Sequence, residues 1–317
     1  MGYGTYVVKR VLLIIPILFG VSVISFGALQ LLPGGPVEAA FGTRANPELV
    51  ERLREQYGLN QPVYVQYIDW ISGIVFDLDF GQSIRTEREI SELLAASLPV
   101  TIWVAASGAL VSVIIGIPAG IISAVNHYKA PDYLATFLAF LGLSIPNFFL
   151  GLVLILLFSL YFPIFPSSGF VSPLSDPIAG VKSLVLPAVT VGTAISAVVM
   201  RMMRSSLLEV FSEEYIRTAR AKGLSRDLIT NKHAVKNALI PTVTVIGLNF
   251  GYLLGGVVIV EQIFALPGLG RLTLTAITTR EYRVLQASLL VIAFMFATVN
   301  LMTDLVYAYL DPRIKYD

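Results

Sequence analysis

Two histidines, no cysteine and a scatter of carboxylates are all that this 317-residue chain offers for group chemistry. Without Cys there is no disulfide, no thiolate nucleophile and no cysteine-ligated metal, and with only two His a metal site would have to draw on carboxylates. His127 and His233 both fall in polar segments between apolar runs, so no Ser–His pair lies within a run, and no HExxH occurs. The chain also lacks GxxxxGK[ST], the loop whose backbone amides cradle nucleotide phosphates. Any energy source must therefore be external. Asp77 and Asp79 could be read as a catalytic pair or a cation site, but no His, Lys or Arg lies nearby in sequence and a solvated turn is the plainer reading.

The elements that hold these residues are set by composition. Only 14% of the chain is charged and 56% is hydrophobic, with a mean hydropathy of +0.77; soluble domains carry about 25% charged residues. Water is not its main solvent. A formal charge of +1 gives no reason to expect a nucleic acid partner. A spanning helix needs roughly 20 mostly apolar residues, and six such spans are predicted, near 11–32, 100–125, 134–162, 184–203, 239–260 and 284–306. Arg201, Glu261 and Asp304 fall near span ends, where a long side chain can snorkel, so a carboxylate relay across the bilayer is not expected. Frequent small residues, among them Gly142, Gly151, Gly247, Gly251, Gly255 and Gly256, predict close helix packing. Asn249 is uncharged and a possible lining residue of a translocation path.

The first span is expected to be an uncleaved helix, because its run from Val11 to Leu32 exceeds an h-region and ends in Pro33-Gly34-Gly35-Pro36. Basic residues in short loops give the orientation. With both termini in the cytoplasm, the inner segments hold Lys9, Arg10, Lys129, the basic residues from Arg201 to Lys236, Arg313 and Lys315. The short outer loops hold only Lys182, Arg271, Arg280 and Arg283. The expected organisation is an N-terminal transmembrane helix over 1–32, a small helical extracytoplasmic insert over 33–97, and a core transmembrane domain over 98–308. The core would carry a cytoplasmic loop at 205–238, and a tail would follow at 309–317. In the insert, Leu49, Leu53 and Tyr57 mark a short amphipathic helix opened by Pro47, and residues 62–80 follow a second helical period.

The inner loop is the more informative polar segment. Leu207, Leu208, Phe211, Tyr215 and Ala219 line one helical face, Arg217, Arg220 and Lys222 crowd the later turns, and Gly223 is placed as a helix-ending residue. A second amphipathic stretch runs from Asp227 to Asn237. A pure lipid binder has no need of a Gly turn between two short helices, which favours a protein partner over a juxtamembrane basic patch.

Residues 214–224 (EYIRTARAKGL), with His233-Ala234 and Asn237-Ala238-Leu239-Ile240-Pro241, resemble the cytoplasmic loop of the dipeptide, oligopeptide and nickel permeases of ABC importers. Further blocks in order extend the resemblance over nearly the whole chain: Leu31-Leu32-Pro33-Gly34, Phe80-Gly81-Gln82-Ser83, Leu98-Pro99-Val100-Thr101, Ser144-Ile145-Pro146, Glu261-Gln262-Ile263-Phe264, Pro267-Gly268-Leu269-Gly270 and Leu310-Asp311-Pro312-Arg313.

The resemblance implies an all-α membrane protein, a six-helix type I ABC importer permease in the cell membrane. It implies as partners a second homologous permease, two ATPase subunits and an extracytoplasmic substrate-binding protein. No cofactor is expected on this chain, with ATP and Mg on the ATPases. The implied ATPase-coupling residues are Tyr215, Arg217, Thr218, Ala219, Ala221, Lys222, Gly223 and Leu224, with the apolar face docking and the basic residues orienting. Arg217-Thr218-Ala219 stands where the general EAA motif has Glu-Ala-Ala, a departure that fits the peptide/nickel branch. Cargo within that family spans peptides, nickel chelates and oligosaccharides. The competing reading, a stand-alone secondary transporter or channel, calls for intramembrane charge or inverted repeats, and neither is evident.

Overall fold

A computed structural model describes residues 3–31, 37, 47–56 and 58–310; they are mainly helical, with irregular segments at 78–89 and 162–176 and an isolated bridge between Gln82 and Glu89. The helices are α1 (Tyr3–Gln30), α2 (Pro47–Gln56), α3 (Val63–Ser72), α4 (Ile90–Val125), α5 (Ala130–Ser144), α6 (Asn147–Ile155), α7 (Pro177–Ser212), α8 (Glu214–Ala221), α9 (Val235–Ile263), α10 (Leu269–Thr278) and α11 (Tyr282–Leu310). Among the described residues four helices are long and apolar enough to cross a membrane, in α1, α4, α7 and α11, and five if α5 and α6 count as one bent span. Helix α9 covers the fifth expected stretch, with the side chains at 250 and 252–256 outside the described residues. Also outside them are Pro33 to Pro36, the side chains of Leu49, Leu53 and Tyr57 with the amphipathic face they were to form, and the tail from Asp311.

The expected span over 134–162 is broken. Its halves meet at an angle of 100°, and the break falls at Ile145-Pro146. Proline disfavours the helical conformation for the residue before it, and Ile145 is extended at φ −79°, ψ 122°, whereas Pro16, Pro187 and Pro241 sit inside unbroken helices. Two other expected spans lengthen: α4 and α7 reach 36 residues each, about 54 Å at 1.5 Å per residue. Helix α7 opens on Asp176, whose carboxylate accepts from the amides of Ile178 at 3.1 Å and Ala179 at 3.0 Å, with Pro177 preset for the first turn.

The contacts divide the chain into two units. The first is built on Ile102–Leu266 with the part of α11 from Val299. Its central helix is α7, 67% buried over its most apolar window, against 17% for α1 in the other unit. Helix α7 is buried because α4 approaches it at backbone distance: a Cβ on Gly192 would lie 2.6 Å from the Gly108 carbonyl oxygen, and one on Gly120 would lie 2.6 Å from Met203 Cβ. Small residues permit this approach, and dispersion between the helices is its return. Gly247 meets the packing expectation in the same way, since a Cβ there would run into the Thr303 methyl.

The second unit comprises Gly4–Thr101 and Pro267–Thr298. Ile90, Leu94, Leu269, Ala276, Val284 and Ala287 form its core. Phe26 of α1 packs edge-on to Tyr67 at 5.3 Å and stacks on Trp70 at 5.8 Å, which fastens α3 to α1. The loop before α4 is pinned by the buried Glu281 carboxylate, which accepts the Ser83 hydroxyl on both oxygens at 2.8 and 3.0 Å. Asp79 closes a turn by accepting the Gly81 amide at 2.7 Å, and Asp77 and Asp79 are exposed, as a solvated turn requires.

Candidate functional site

Helix α8 begins where α7 breaks. Glu213 is extended at φ −67°, ψ 145°, so Leu207, Leu208 and Phe211 belong to a different helix from Tyr215 and Ala219 and the single expected face does not form. Eight residues then turn so that Ile216 (0% exposed) and Ala219 (8%) point into a core shared with Ala124, Met203, Leu207, Ile229, Ala234 and Ala238. The apolar side of α8 is thus spent on its own chain. What α8 presents outward is mostly polar or small: Arg217, Thr218, Arg220, Ala221 and Lys222 are exposed, as are the ring of Tyr215 and the following Gly223. Arg217 Nη1 donates to Glu214 Oε1 at 2.7 Å one turn back, and the Thr218 hydroxyl donates to the Glu214 carbonyl at 3.1 Å.

The C-terminus of α8 forms a Schellman turn. Gly223 has φ +75°, its amide donates to the Arg220 carbonyl at 3.0 Å, and the Leu224 amide donates to the Ala219 carbonyl at 3.3 Å. A side chain on Gly223 would meet nothing within 4 Å, so the residue is required by backbone conformation and not by space. Leu224 closes the motif by packing, half-buried, on the core that holds Ala219. Beyond it Ser225 caps the next turn and Arg226 Nη2 donates to the Val125 carbonyl. The expected second stretch from Asp227 is continuous with α9 through a π-helical turn at Ile229–Ala234. Tyr215 links the two sides, its hydroxyl accepting from Asn237 Nδ2 at 2.7 Å.

Next to this loop lies a cluster the sequence reading missed. Asp132, 2% exposed, accepts from Arg204 Nε at 2.8 Å and Nη2 at 2.9 Å, from the Tyr128 amide at 3.0 Å and from the Ser123 hydroxyl. His127 Nδ1 lies 3.2 Å from its second oxygen. The bidentate pair joins the start of α5 to α7, one turn before Leu207 and Leu208 lead toward α8. No local signal announced the pair, because α7 also carries Lys182, Arg201 and Glu209 and Arg204 stands 72 positions from Asp132. A cleft of about 570 Å³ opens beside it, lined by Lys129, Arg220, Arg226, Leu208 and Phe211 among others.

The remaining expectations fall elsewhere. Asn249 is half-buried and its amide donates to the Val245 carbonyl at 2.8 Å within its own helix. Glu261 does not snorkel: it is 0% exposed. Among the described residues no group of three or more His, Asp or Glu is placed to hold a metal.

A family model described as "Binding-protein-dependent transport system inner membrane component" matches residues 116–316, and its N-terminal counterpart matches residues 4–105. The chain belongs to this family. It is a multi-pass membrane component of a transport system and not an enzyme. It is 39% identical to the dipeptide transport system permease protein DppB of Alkalihalophilus pseudofirmus, over 98% of this chain and 99% of the relative. It is 41% identical to the glutathione transport system permease protein GsiC of Escherichia coli K12, with the same coverage. A solved inward-facing structure of the MetNI methionine ABC transporter superposes with a TM-score of 0.58 at 18% identity, covering 69% of this chain and 97% of that one. The fold is therefore the all-helical fold of type I ABC importer permeases.

Proposed function

We propose that the chain forms one half of the membrane passage of an ATP-driven importer for peptides or similar small solutes. A second, homologous permease supplies the other half, two cytoplasmic ATPase subunits supply the energy, and an extracytoplasmic binding protein delivers the cargo. ATP and Mg²⁺ bind the ATPases and this chain carries no cofactor. The six helical stretches are six spans, both termini are cytoplasmic, and residues 33–97 form an outer insert. The peptide assignment is supported by the two permeases that align end to end, one for dipeptides and one for glutathione.

The observation that carries this reading is the construction of α8. Its inner side shares one core with α4, α7 and the start of α9, its end is fixed by Gly223, and its outer side is left without apolar cover. Such an element works as a handle: a partner that grips Arg217, Thr218, Ala221 and Lys222 moves α7 and α9 with it, because Ile216 and Ala219 cannot slide in a close-packed core. ATP-driven closure of the ATPase pair favours one of two permease states by binding it better, and hydrolysis restores the other. Single cysteines replacing Ala221 or Lys222 should cross-link to the ATPase in the assembled complex, while one replacing Ile216 should not. Equal cross-linking at all three positions, or at none, would remove α8 from the contact.

A further inference from the structure

Three cations from three separate segments line one cleft in the first unit: Lys129 from the turn between α4 and α5, Arg220 from α8, and Arg226 from the turn after Gly223. No Asp or Glu lines it with them. Lys129 and Arg220 enter no ion pair among the described residues. Arg226 spends one nitrogen on the Val125 carbonyl, a neutral partner that leaves its charge unbalanced. Asp132 lies close by in sequence but does not serve, since it is 2% exposed and its oxygens are taken by Arg204, Ser123 and the Tyr128 amide. Like charges gathered without a counter-charge repel one another, and a bound anion relieves that repulsion. The rest of the lining is largely apolar and includes Leu208, Phe211, Leu224 and Ile229.

We propose that this cleft holds the headgroup of one anionic phospholipid, with the phosphate among the cations and the glycerol and first acyl carbons on the apolar lining. Two features select a lipid over a soluble anion. The cleft measures about 570 Å³ against about 30 Å³ for one water in the liquid, so a bare phosphate fills little of it and leaves Phe211 and Leu224 uncovered. The cleft also sits at headgroup depth. The charge-free stretch of α7 ends at Met200, the Asp132–Arg204 pair holds the start of α5 level with the next turn, and Leu208 follows Arg204 by about 6 Å at 1.5 Å per residue. The headgroup layer reaches about 5–8 Å beyond the hydrocarbon. The cleft is open, as a site filled from the surrounding lipid must be. A lipid bound there ties α8 to the turn between α4 and α5, so the helix that meets the ATPase is braced against the bilayer. The inference goes beyond the permease reading and takes from it only the leaflet, the inner one.

Full-length protein in detergent micelles is incubated with dioleoyl phosphatidylglycerol or dioleoyl phosphatidylcholine at equal mole fraction, and the share of chains retaining one lipid is read by native mass spectrometry. The expected result is a single phosphatidylglycerol held with an apparent affinity at least about tenfold above that for phosphatidylcholine. Lys129→Gln with Arg220→Gln should bring the two lipids within about twofold of each other. Lys232→Gln with Lys236→Gln removes as much charge at exposed positions outside the cleft and should leave the preference in place. Either single substitution in the cleft serves if the pair fails to give monodisperse protein. Equal retention of both lipids by the unaltered chain, a preference that survives the cleft substitutions, or the same loss in both double variants overturns the proposal. Release of the bound phosphatidylglycerol also overturns it, whether by excess sn-glycerol 3-phosphate, which marks a site for a soluble phosphate, or by added ATPase subunits, which marks a protein interface. A complex that imports cargo without any lipid preference defeats this site alone, and one that keeps the preference but imports nothing defeats the permease reading alone.

Discussion

A buried carboxylate decides more at the residue scale than any exposed charge in this chain. Asp132 gathers hydrogen bonds from Arg204, Tyr128 and Ser123, while Arg217 and Glu214 make an exposed pair one turn apart on α8. Exposed pairs of that kind contribute about 0–1 kcal/mol. Removing one partner of a buried pair costs more, because the other charge is left without compensation. Asp132→Ala is therefore expected to lower stability by about 3 kcal/mol, and Asp132→Ala combined with Arg204→Met to recover much of the loss, read as thermal midpoints of the protein in nanodiscs. Equal losses in the single and double variants would mean that the pair is not the source. Gly223 acts at the same scale by a different route, through a left-handed backbone that only glycine adopts at little cost.

At the scale of elements, close approach and breaks divide the work. Helices α4 and α7 are locked by glycine contacts, with no room for a side chain at Gly192. Gly192→Val must push α4 and α7 apart and is expected to cost about 1–3 kcal/mol, visible as a lower thermal midpoint and earlier proteolysis; an unchanged midpoint would show that the contact is loose. The breaks lie at Pro146 and at Glu213. At the first, Ile145 takes the extended backbone that a following proline favours, but Pro16, Pro187 and Pro241 sit inside unbroken helices, so the proline alone did not mark the break in the sequence. The second has no proline to announce it. It exists because Ile216 and Ala219 gain burial only if the chain turns there, so hydrophobic periodicity continued straight through it and placed Tyr215 and Ala219 on one face with Phe211.

For the whole molecule the decisive variable is which side of the membrane each segment faces. The native chain has no cysteine, so single cysteines report cleanly. With both termini inside, Glu87→Cys should react with a membrane-impermeant maleimide on intact cells, and Thr218→Cys only after permeabilisation; both residues are exposed in their own units. The reverse pattern would invert the topology and take α8 away from any cytoplasmic ATPase. The positive-inside bias that leads to this expectation is a property of insertion, and it is written in short loops such as Lys129 and the segment from Arg201 to Lys236.

The sequence by itself determined the membrane class, the helical stretches and the transport family. Apolar run length, charge bias and ordered short motifs are local properties and need no tertiary contact to be read. Only the tertiary structure decided that the apolar side of α8 faces its own chain, that Asp132 and Arg204 meet across 72 positions, and that Glu261 is enclosed. Each of these is a statement about which groups lose water and what replaces it. Burial is settled by all the surrounding helices at once, so no single segment carries that information.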